Sequence, residues 1–334
     1  MSNRKLINLK EKIFVAGASG MVGGALFKLL KREGYGNKDN GGTILFPSRK
    51  ELNLLNSESV KNWFQKNRPT VVVLAAAKVG GIHANSSFPA DFINQNLIIQ
   101  TNVINSSWES GVKRFVFLGS SCIYPKFSNQ PIEEESLLTG PLESTNEWYA
   151  ISKISGIKLC EALRKQYNFD AISLMPTNLY GPGDNYHPTN SHVIASLISK
   201  FCNAKISLKK DVTCWGTGKA LREFMHVDDL AKAILYALEN WDPDSPNAPR
   251  DKNNNPNTFL NVGTGTEISI KGLSELIAKE VGFKGNILWD LNKPDGTPRK
   301  ILNIDKFSKM GWKSSISLKE GIKRTIKDYK ENYL

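Results

Sequence analysis

Lys12-Ile13-Phe14-Val15-Ala16 is a short apolar run that ends in Gly17-Ala18-Ser19-Gly20-Met21-Val22-Gly23, and an amphipathic segment from Ala25 to Glu33 follows at once. No other stretch restricts the fold as much. A buried strand, a glycine turn and a helix in that order form the start of a βαβ unit. Glycines at Gly-x-x-Gly-x-x-Gly spacing let the backbone approach a pyrophosphate, whose charge the helix N-terminus favours. The spacing alone also suits a ligand-free βα turn. Its position, early in the chain and directly after a strand, points to a dinucleotide.

The alternation continues. Thr43-Ile44-Leu45-Phe46 reads as a second strand, and Ser57 as the cap of a helix reaching Asn67. Thr70-Val71-Val72-Val73-Leu74-Ala75 is a β-branched apolar run of the kind found in a central parallel strand covered on both faces. A helix from Asp91 to Ser110, a strand from Arg114 to Gly119, a helix from Glu147 to about Tyr167 and a strand from Ala171 to Met175 follow. This order predicts an α/β protein, a Rossmann-type doubly wound parallel sheet that binds ligands beyond its C-terminal strand ends.

Beyond Pro176 the alternation becomes irregular, with Gly and Pro clusters at Gly181-Pro182-Gly183 and Asp242-Pro243-Asp244-Ser245-Pro246. The expected division is a dinucleotide-binding domain over 1–175, with 226–262 returning to it. A smaller C-terminal α/β lobe for substrate comprises 176–225 and 263–334. The stretch from Asp251 to Asn257 reads as a surface loop. The last helix turns Lys319, Lys323, Arg324, Lys327 and Lys330 to solvent and Ile322 and Tyr329 inward.

A chain of 334 residues has room for such a core and shows no internal repeat. Its net charge of +12 is spread along the sequence and mixed with acids, which argues against a nucleic-acid surface and suits phosphorylated small molecules. Cys122, Cys160, Cys202 and Cys214 have neither Cys-x-x-Cys nor metal-finger spacing, so reduced thiols in a cytoplasm are expected. No apolar run is long enough for a bilayer, and the polar, basic start from Met1 to Lys10 is no signal segment. No His/Asp/Glu cluster calls for a metal, and His83, His187 and His226 are read as structural or peripheral.

Reactive chemistry enters with Tyr149 and Lys153. Four-residue spacing on a helix puts the phenol and the ammonium side by side. A free tyrosine titrates near ~10, and a fixed cation beside it favours the phenolate, so the expected pair is a proton donor tuned by Lys153. Ser120, just past the fourth strand, is placed to hydrogen-bond a substrate carbonyl.

With Ser120, Tyr149 and Lys153 together, the chain resembles the extended short-chain dehydrogenase/reductase superfamily over almost its full length. Longer motifs narrow the resemblance. They are Ala75-Ala76-Ala77-Lys78-Val79-Gly80-Gly81-Ile82, Gly119-Ser120-Ser121-Cys122-Ile123-Tyr124-Pro125, Pro176-Thr177-Asn178-Leu179-Tyr180-Gly181-Pro182, Asn190-Ser191-His192-Val193-Ile194, Arg222-Glu223-Phe224-Met225-His226-Val227-Asp228-Asp229 and Lys293-Pro294-Asp295-Gly296-Thr297-Pro298-Arg299-Lys300. In this order they look like the signatures of the GDP-L-fucose synthase family.

The resemblance implies conversion of GDP-4-keto-6-deoxy-D-mannose to GDP-L-fucose, by inversion of two carbons beside the ketone and then reduction with NADPH. It implies Ser120, Tyr149 and Lys153 as the reductase groups, Cys122 as the base and His192 as the acid of the inversions. The implied cofactor contacts are Gly17, Ala18, Ser19, Gly20, Met21, Val22, Gly23, Arg49, Leu118, Gly119, Ser120, Ser121, Lys153, Pro176, Asn178, Leu179 and His192. For the nucleotide-sugar it implies Arg222 at the diphosphate, with Trp215, Lys200 and Asp295.

A homodimer built on the helices around Asp91–Ser110 and Glu147–Tyr167 is implied as well. Members of the family carry a basic residue in the glycine loop where this chain has Ala18-Ser19. Ser48-Arg49-Lys50 after the second strand, with no acid, still favours NADP.

Rival readings remain at this point. A sugar-nucleotide dehydratase carries Asp-Glu where this chain has Ser121-Cys122. Another sugar-nucleotide epimerase/reductase of the superfamily, or a non-catalytic nucleotide-sensing or RNA-binding Rossmann protein, are the others; the last class commonly lacks the Tyr/Lys pair that is intact here.

Overall fold

The computed structural model describes residues 5–188, 190–293 and 295–334. Thr189, beside the His192 motif, and Pro294, within the last motif above, lie outside them, as do Met1 to Arg4.

The first half alternates as the sequence pattern predicts. It runs β1 (Lys12–Ala16), α1 (Met21–Arg32), β2 (Thr43–Leu45), α2 (Ser57–Asn67), β3 (Val71–Leu74), short α3 (Ile82–Ser87), α4 (Pro89–Glu109), β4 (Arg114–Leu118), α5 (Glu147–Tyr167) and β5 (Ala171–Pro176). Small corrections follow from local chemistry. Asn56, not Ser57, is the N-cap of α2, its side chain accepting from Ser59 N–H at 2.8 Å. Helix α4 starts two residues before Asp91 because Pro89, with φ preset and no N–H to lose, suits a first helical position.

The second half runs β6 (Asn178–Tyr180), α6 (Val193–Ile206), β7 (Asp211–Trp215), β8 (Leu221–His226), α7 (Val227–Asn240), β9 (Phe259–Val262), β10 (Glu267–Ser269), α8 (Ile270–Val281), β11 (Asn286–Asp290), β12 (Arg299–Lys300), α9 (Asp305–Lys309) and α10 (Leu318–Tyr333). One all-parallel sheet of six strands, in the order β2-β1-β3-β4-β5-β9, organises the molecule. Helices cover both faces. Helices α1 and α7 pack together on one side over Leu26, Leu30, Ile234 and Leu238, and α4 and α5 lie on the other over Phe115, Phe117 and Ile157. Phe307 and Trp312, within the stretch expected in the lobe, pack into the sheet-side core with Trp241.

Of the other elements, β6, β7, β8, β10, β11 and β12 with α6, α8 and α10 form the lobe. Strand β8 is its spine, pairing antiparallel with β10 and parallel with β12 and β6, while β7 and β11 make a two-stranded parallel ribbon. Helices α6, α8 and α10 enclose its core around Phe201, Phe224, Ile277 and Ile322. Ile322 and Tyr329 of α10 are buried, as the sequence pattern predicts. The C-terminal ends of the six strands open toward this lobe, and the groove between them is the site.

Candidate active site

A cavity of about 1050 Å³ runs from the glycine turn, past Ser120 and Tyr149, to Trp215 and Arg222 in the lobe. Its walls begin at the turn between β1 and α1. Gly17 has φ +92°, and a Cβ there would stand 2.8 Å from the Ala76 backbone. A Cβ on Gly23 would stand 2.2 Å from Gly17 O, so these two glycines let helix and turn close on each other. Gly20 caps α1 without any side-chain bond, and the first turn of the helix carries no acid, which leaves its N–H groups open to an anion. Arg49 lines the same end, exposed, with no acidic neighbour in the Ser48-Arg49-Lys50 run. These features fit a dinucleotide carrying a 2′-phosphate.

Most of the residues expected at the cofactor lie on this wall, among them Ser19, Met21, Val22, Gly119, Asn178 and Leu179. Ala18 instead packs against the core beside α1, and Leu118 is buried with its carbonyl accepting from Lys153 Nζ at 2.8 Å.

Past β4 the chain makes one turn of 3₁₀ helix, Ser121–Ile123, whose first N–H groups are met by Ser120: its Oγ accepts from Cys122 N–H at 3.3 Å. That turn places Ser120 and Cys122 on the cavity wall and buries Ser121 beside them. Tyr149 enters from the first turn of α5, its ring edge-on to Phe92. Burial raises its phenol above the ordinary value, the nearby Cys122 adds to this, and the Ser120 hydroxyl partly opposes it. Lys153, one turn on, lies 5.8 Å from the Tyr149 ring centre, and burial pushes its ammonium down to about 8. The expected lowering of Tyr149 by Lys153 is therefore absent, because Lys153 turns to the Leu118 carbonyl and desolvation dominates the phenol. The phenol stays protonated at neutral pH. That is the state a proton donor requires.

His192 is the N-cap residue of α6, but its ring makes no capping bond and faces the cavity. The ring is reachable through the cleft, yet protein on most sides withdraws it from bulk water. Burial, then the positive charge of Lys300, pushes its imidazole below the ordinary value.

The lobe supplies the far wall. Trp215 is half exposed rather than core, with Lys200 Nζ and Lys293 Nζ at 5.6 and 5.3 Å from its ring centre. Arg222 forms no ion pair among the described residues; it donates to the Leu221 carbonyl at 2.8 Å and to the Asp295 carbonyl at 3.4 Å. Asp295 lines the cavity on the same side. Its carboxylate accepts from Thr217 N–H and Oγ1, each at 2.7 Å, so it ties the Trp215–Gly218 turn to the loop before β12.

Of the histidines read as peripheral, His226 is buried and caps α7, whereas His83 lines the cavity. Glu143 and Asn146 line the cavity without having been singled out in the sequence, and Lys300, inside the last quoted motif, was given no role there. Asn146 is the N-cap residue of α5, and a polar residue three places before Tyr149 was the available signal. Among the described residues no group of three or more His, Cys, Asp or Glu could hold a metal ion, and no helix is long and apolar enough to cross a membrane.

Comparison with known proteins agrees with this geometry. Residues 13–250 match the NAD dependent epimerase/dehydratase family. The chain is 50% identical over 327 residues to the putative GDP-L-fucose synthase 2 of Arabidopsis thaliana, covering 98% of this chain and 94% of that protein. It is 46% identical over 324 residues to the GDP-L-fucose synthase of Escherichia coli K12, covering 97% and 98%. Among solved structures, a GDP-L-fucose synthetase from Naegleria fowleri bound to NADP superposes with a TM-score of 0.85 at 26% identity, over 99% of this chain and 98% of that one. A strand-end Ser120, a helical Tyr149 and a dinucleotide turn sharing one cavity thus go with relatives aligned end to end, and the chain belongs to the NAD dependent epimerase/dehydratase family, among its GDP-L-fucose synthases.

Proposed function

We propose that the protein converts GDP-4-keto-6-deoxy-D-mannose to GDP-L-fucose, inverting the two carbons beside the ketone before reducing it. The observation that carries this reading is one cavity that holds Cys122 and His192 together with Ser120 and Tyr149. A plain reductase needs only the second pair.

NADPH, when bound along the glycine turn, supplies the hydride. Every other requirement falls to side chains. A hydrogen beside a carbonyl becomes removable when the enolate oxygen is stabilised, and the Ser120 and Tyr149 hydroxyls donate to that oxygen. The Cys122 thiolate takes the proton from carbon, and His192 returns one to the opposite face. The proton leaves the imidazolium form of His192 and the neutral ring remains; burial and the charge of Lys300 lower the imidazole's hold on that proton, which favours its release. In the reduction Tyr149, kept protonated by burial, gives its proton to the ketone oxygen, and the buried Lys153 holds charge beside it.

Arg222, free of carboxylate partners, serves the diphosphate as a bidentate donor. Trp215 and Lys200 lie along the nucleotide beyond it, and Asp295 shapes the turn that carries Trp215. The same reading includes the domain division given above, a cytoplasmic location with all four cysteines reduced, and a homodimer through the outer faces of α4 and α5, where Trp148 is exposed.

The test is incubation of the purified protein with the keto-sugar nucleotide. With NADPH the product is GDP-L-fucose. Without NADPH, in deuterated water, deuterium enters the two carbons flanking the ketone, and Cys122→Ser loses this exchange. An unepimerised 6-deoxy sugar as the sole product of the wild type would reduce the protein to a sugar-nucleotide reductase.

A further inference from the structure

Cys122 has two donors aimed at its sulfur. Lys300 Nζ approaches Sγ at 3.7 Å, and Asn146 Nδ2 approaches it at 3.5 Å. The lysine comes from a segment 178 residues away in sequence. Two bonds fasten that segment beside the site. Ile301 N–H donates to Gln130 Oε1 and Leu302 N–H to Glu223 Oε2, each at 3.0 Å, and strand β12 lays Lys300 in register with Arg222 of β8. Glu223 is fully buried and also accepts from the N–H groups of Thr264 and Gly265, so this anchor is rigid.

No carboxylate lies within ion-pairing distance of Lys300 among the described residues. Its nearest recorded polar partner is the sulfur. An ammonium brought into the wall of a cavity with no acid to neutralise it leaves its charge to act on whatever shares that wall. We propose that Lys300 is the counter-charge that holds Cys122 as a thiolate for proton abstraction, a positioning residue of the epimerase chemistry that the reductase chemistry does not need.

The inference rests on Cys122 being the base. In the step it serves, the C–H bond beside the ketone breaks, an S–H bond forms, and the electron pair passes to the carbonyl oxygen as enolate. A fixed cation near the sulfur favours the thiolate that begins this step. The charged and titratable groups facing Cys122 are Lys300 from β12, Arg222 from β8 and Tyr149 from α5. Of these, Lys300 alone points a donor at the sulfur. Its charge is felt independently at His192, the other member of the proposed acid-base pair.

The experiment compares the wild type with Lys300→Met, Lys300→Gln and Lys300→Arg. Alkylation of Cys122 by iodoacetamide, located by mass spectrometry, is followed across pH, and deuterium exchange into the keto-sugar without NADPH is followed over the same range. Near neutral pH, alkylation in both neutral variants should slow by about 10-fold or more. It should return to the wild-type rate in alkali, where the thiol ionises unaided.

Deuterium exchange should move to higher pH in step, while Lys300→Arg keeps both profiles close to the wild type. A purely structural role predicts loss at every pH, with no rescue by Arg. Unchanged alkylation profiles in Lys300→Met and Lys300→Gln would overturn the proposal. Wild-type exchange in Cys122→Ser would instead remove Cys122 as base, and the alkylation measurement, which requires no turnover, would still decide whether Lys300 supports the thiolate.

Discussion

Every residue of β3, β4 and β5 is buried, whereas along β7 of the lobe exposed and buried residues alternate from Asp211 to Trp215. The sheet is a closed layer that delivers functional groups only from its strand ends and from α5. The lobe is a set of short strands, of which β7 is wet on one face while β8 is buried from Glu223 to His226, and it delivers groups from loops and edges. The proposed chemistry divides along the same line. Ser120, Tyr149 and Lys153, the groups proposed for reduction, all come from the sheet side. The groups proposed for inversion straddle the groove, with Cys122 on the sheet side and His192 and Lys300 on the lobe side. On that proposal reduction depends on one layer, and inversion on how two layers meet.

Tyr149→Phe is the strongest way to break this comparison. It removes the proton donor and leaves the cavity wall otherwise intact. Reduction, followed as NADPH consumption, should fall by ~10²–10⁴-fold, the usual contribution of general acid catalysis. NADPH binding should be nearly unchanged, and deuterium exchange should survive in part through Ser120. Full reductase activity would show that the proton comes from elsewhere. Equal loss of reduction and exchange would show that the two chemistries are not divided as described.

A smaller effect sharpens the same contrast through two arginines. Arg49 lies at the dinucleotide end of the cavity and Arg222 at the lobe end. Arg222→Ala should weaken GDP and GDP-sugar alike and leave NADPH affinity as it was. Arg49→Ala should do the reverse, eroding the preference for NADPH over NADH. Hydrogen bonds to charged groups contribute ~1.5–3 kcal/mol, so each loss should be about 10–100-fold in affinity, read by calorimetry or fluorescence. Unchanged GDP affinity in Arg222→Ala would place that residue outside the diphosphate site.

The sheet was legible in the sequence because its signals are local. Continuous runs such as Val71-Val72-Val73-Leu74, and a glycine turn between strand and helix, need no distant partner to be recognised. Errors there were confined to ends, as at Asn56, where two adjacent residues both make good caps. Tyr149 and Lys153 were visible by spacing, but their electrostatics were not. Spacing puts Lys153 beside Tyr149, while only the packing shows that the Leu118 carbonyl takes its ammonium and that burial governs the phenol. Strand β12 is two residues long and carries no periodicity, so the approach of Lys300 to Cys122 has no local signature. The tie between the Asp295 carboxylate and Thr217, made from the cavity wall, has no local signature either.

The smallest expected effect lies behind the site, where the lobe begins. Asp184 is a buried residue of the largely exposed loop after β6, whose Gly183 N–H donates to Asp328 of α10 at 3.1 Å. Its Oδ1 accepts from Asn185 N–H at 2.7 Å, and its Oδ2 is buried without a hydrogen-bond partner. Burial raises this carboxyl to about 7. In the unfolded chain it ionises near ~3.9. Between these values the unfolded state has lost the proton that the folded state keeps, so stability falls as pH rises from about 4 to about 7 and is level above that. Asp184→Asn removes the ionisation, although its amide leaves an N–H donor unpaired, which returns part of the gain. The variant should therefore be more stable than the wild type above pH 7 by about 1 kcal/mol, or roughly 2 °C in Tm for a chain of this size. Toward pH 4, where the wild-type carboxyl is neutral in both states, the gap should close and then reverse, because the unpaired amide donor of the variant remains. Thermal unfolding across this range reads it directly. A difference that does not vary with pH would show that Asp184 is already ionised in the fold, held by a partner outside the hydrogen bonds described.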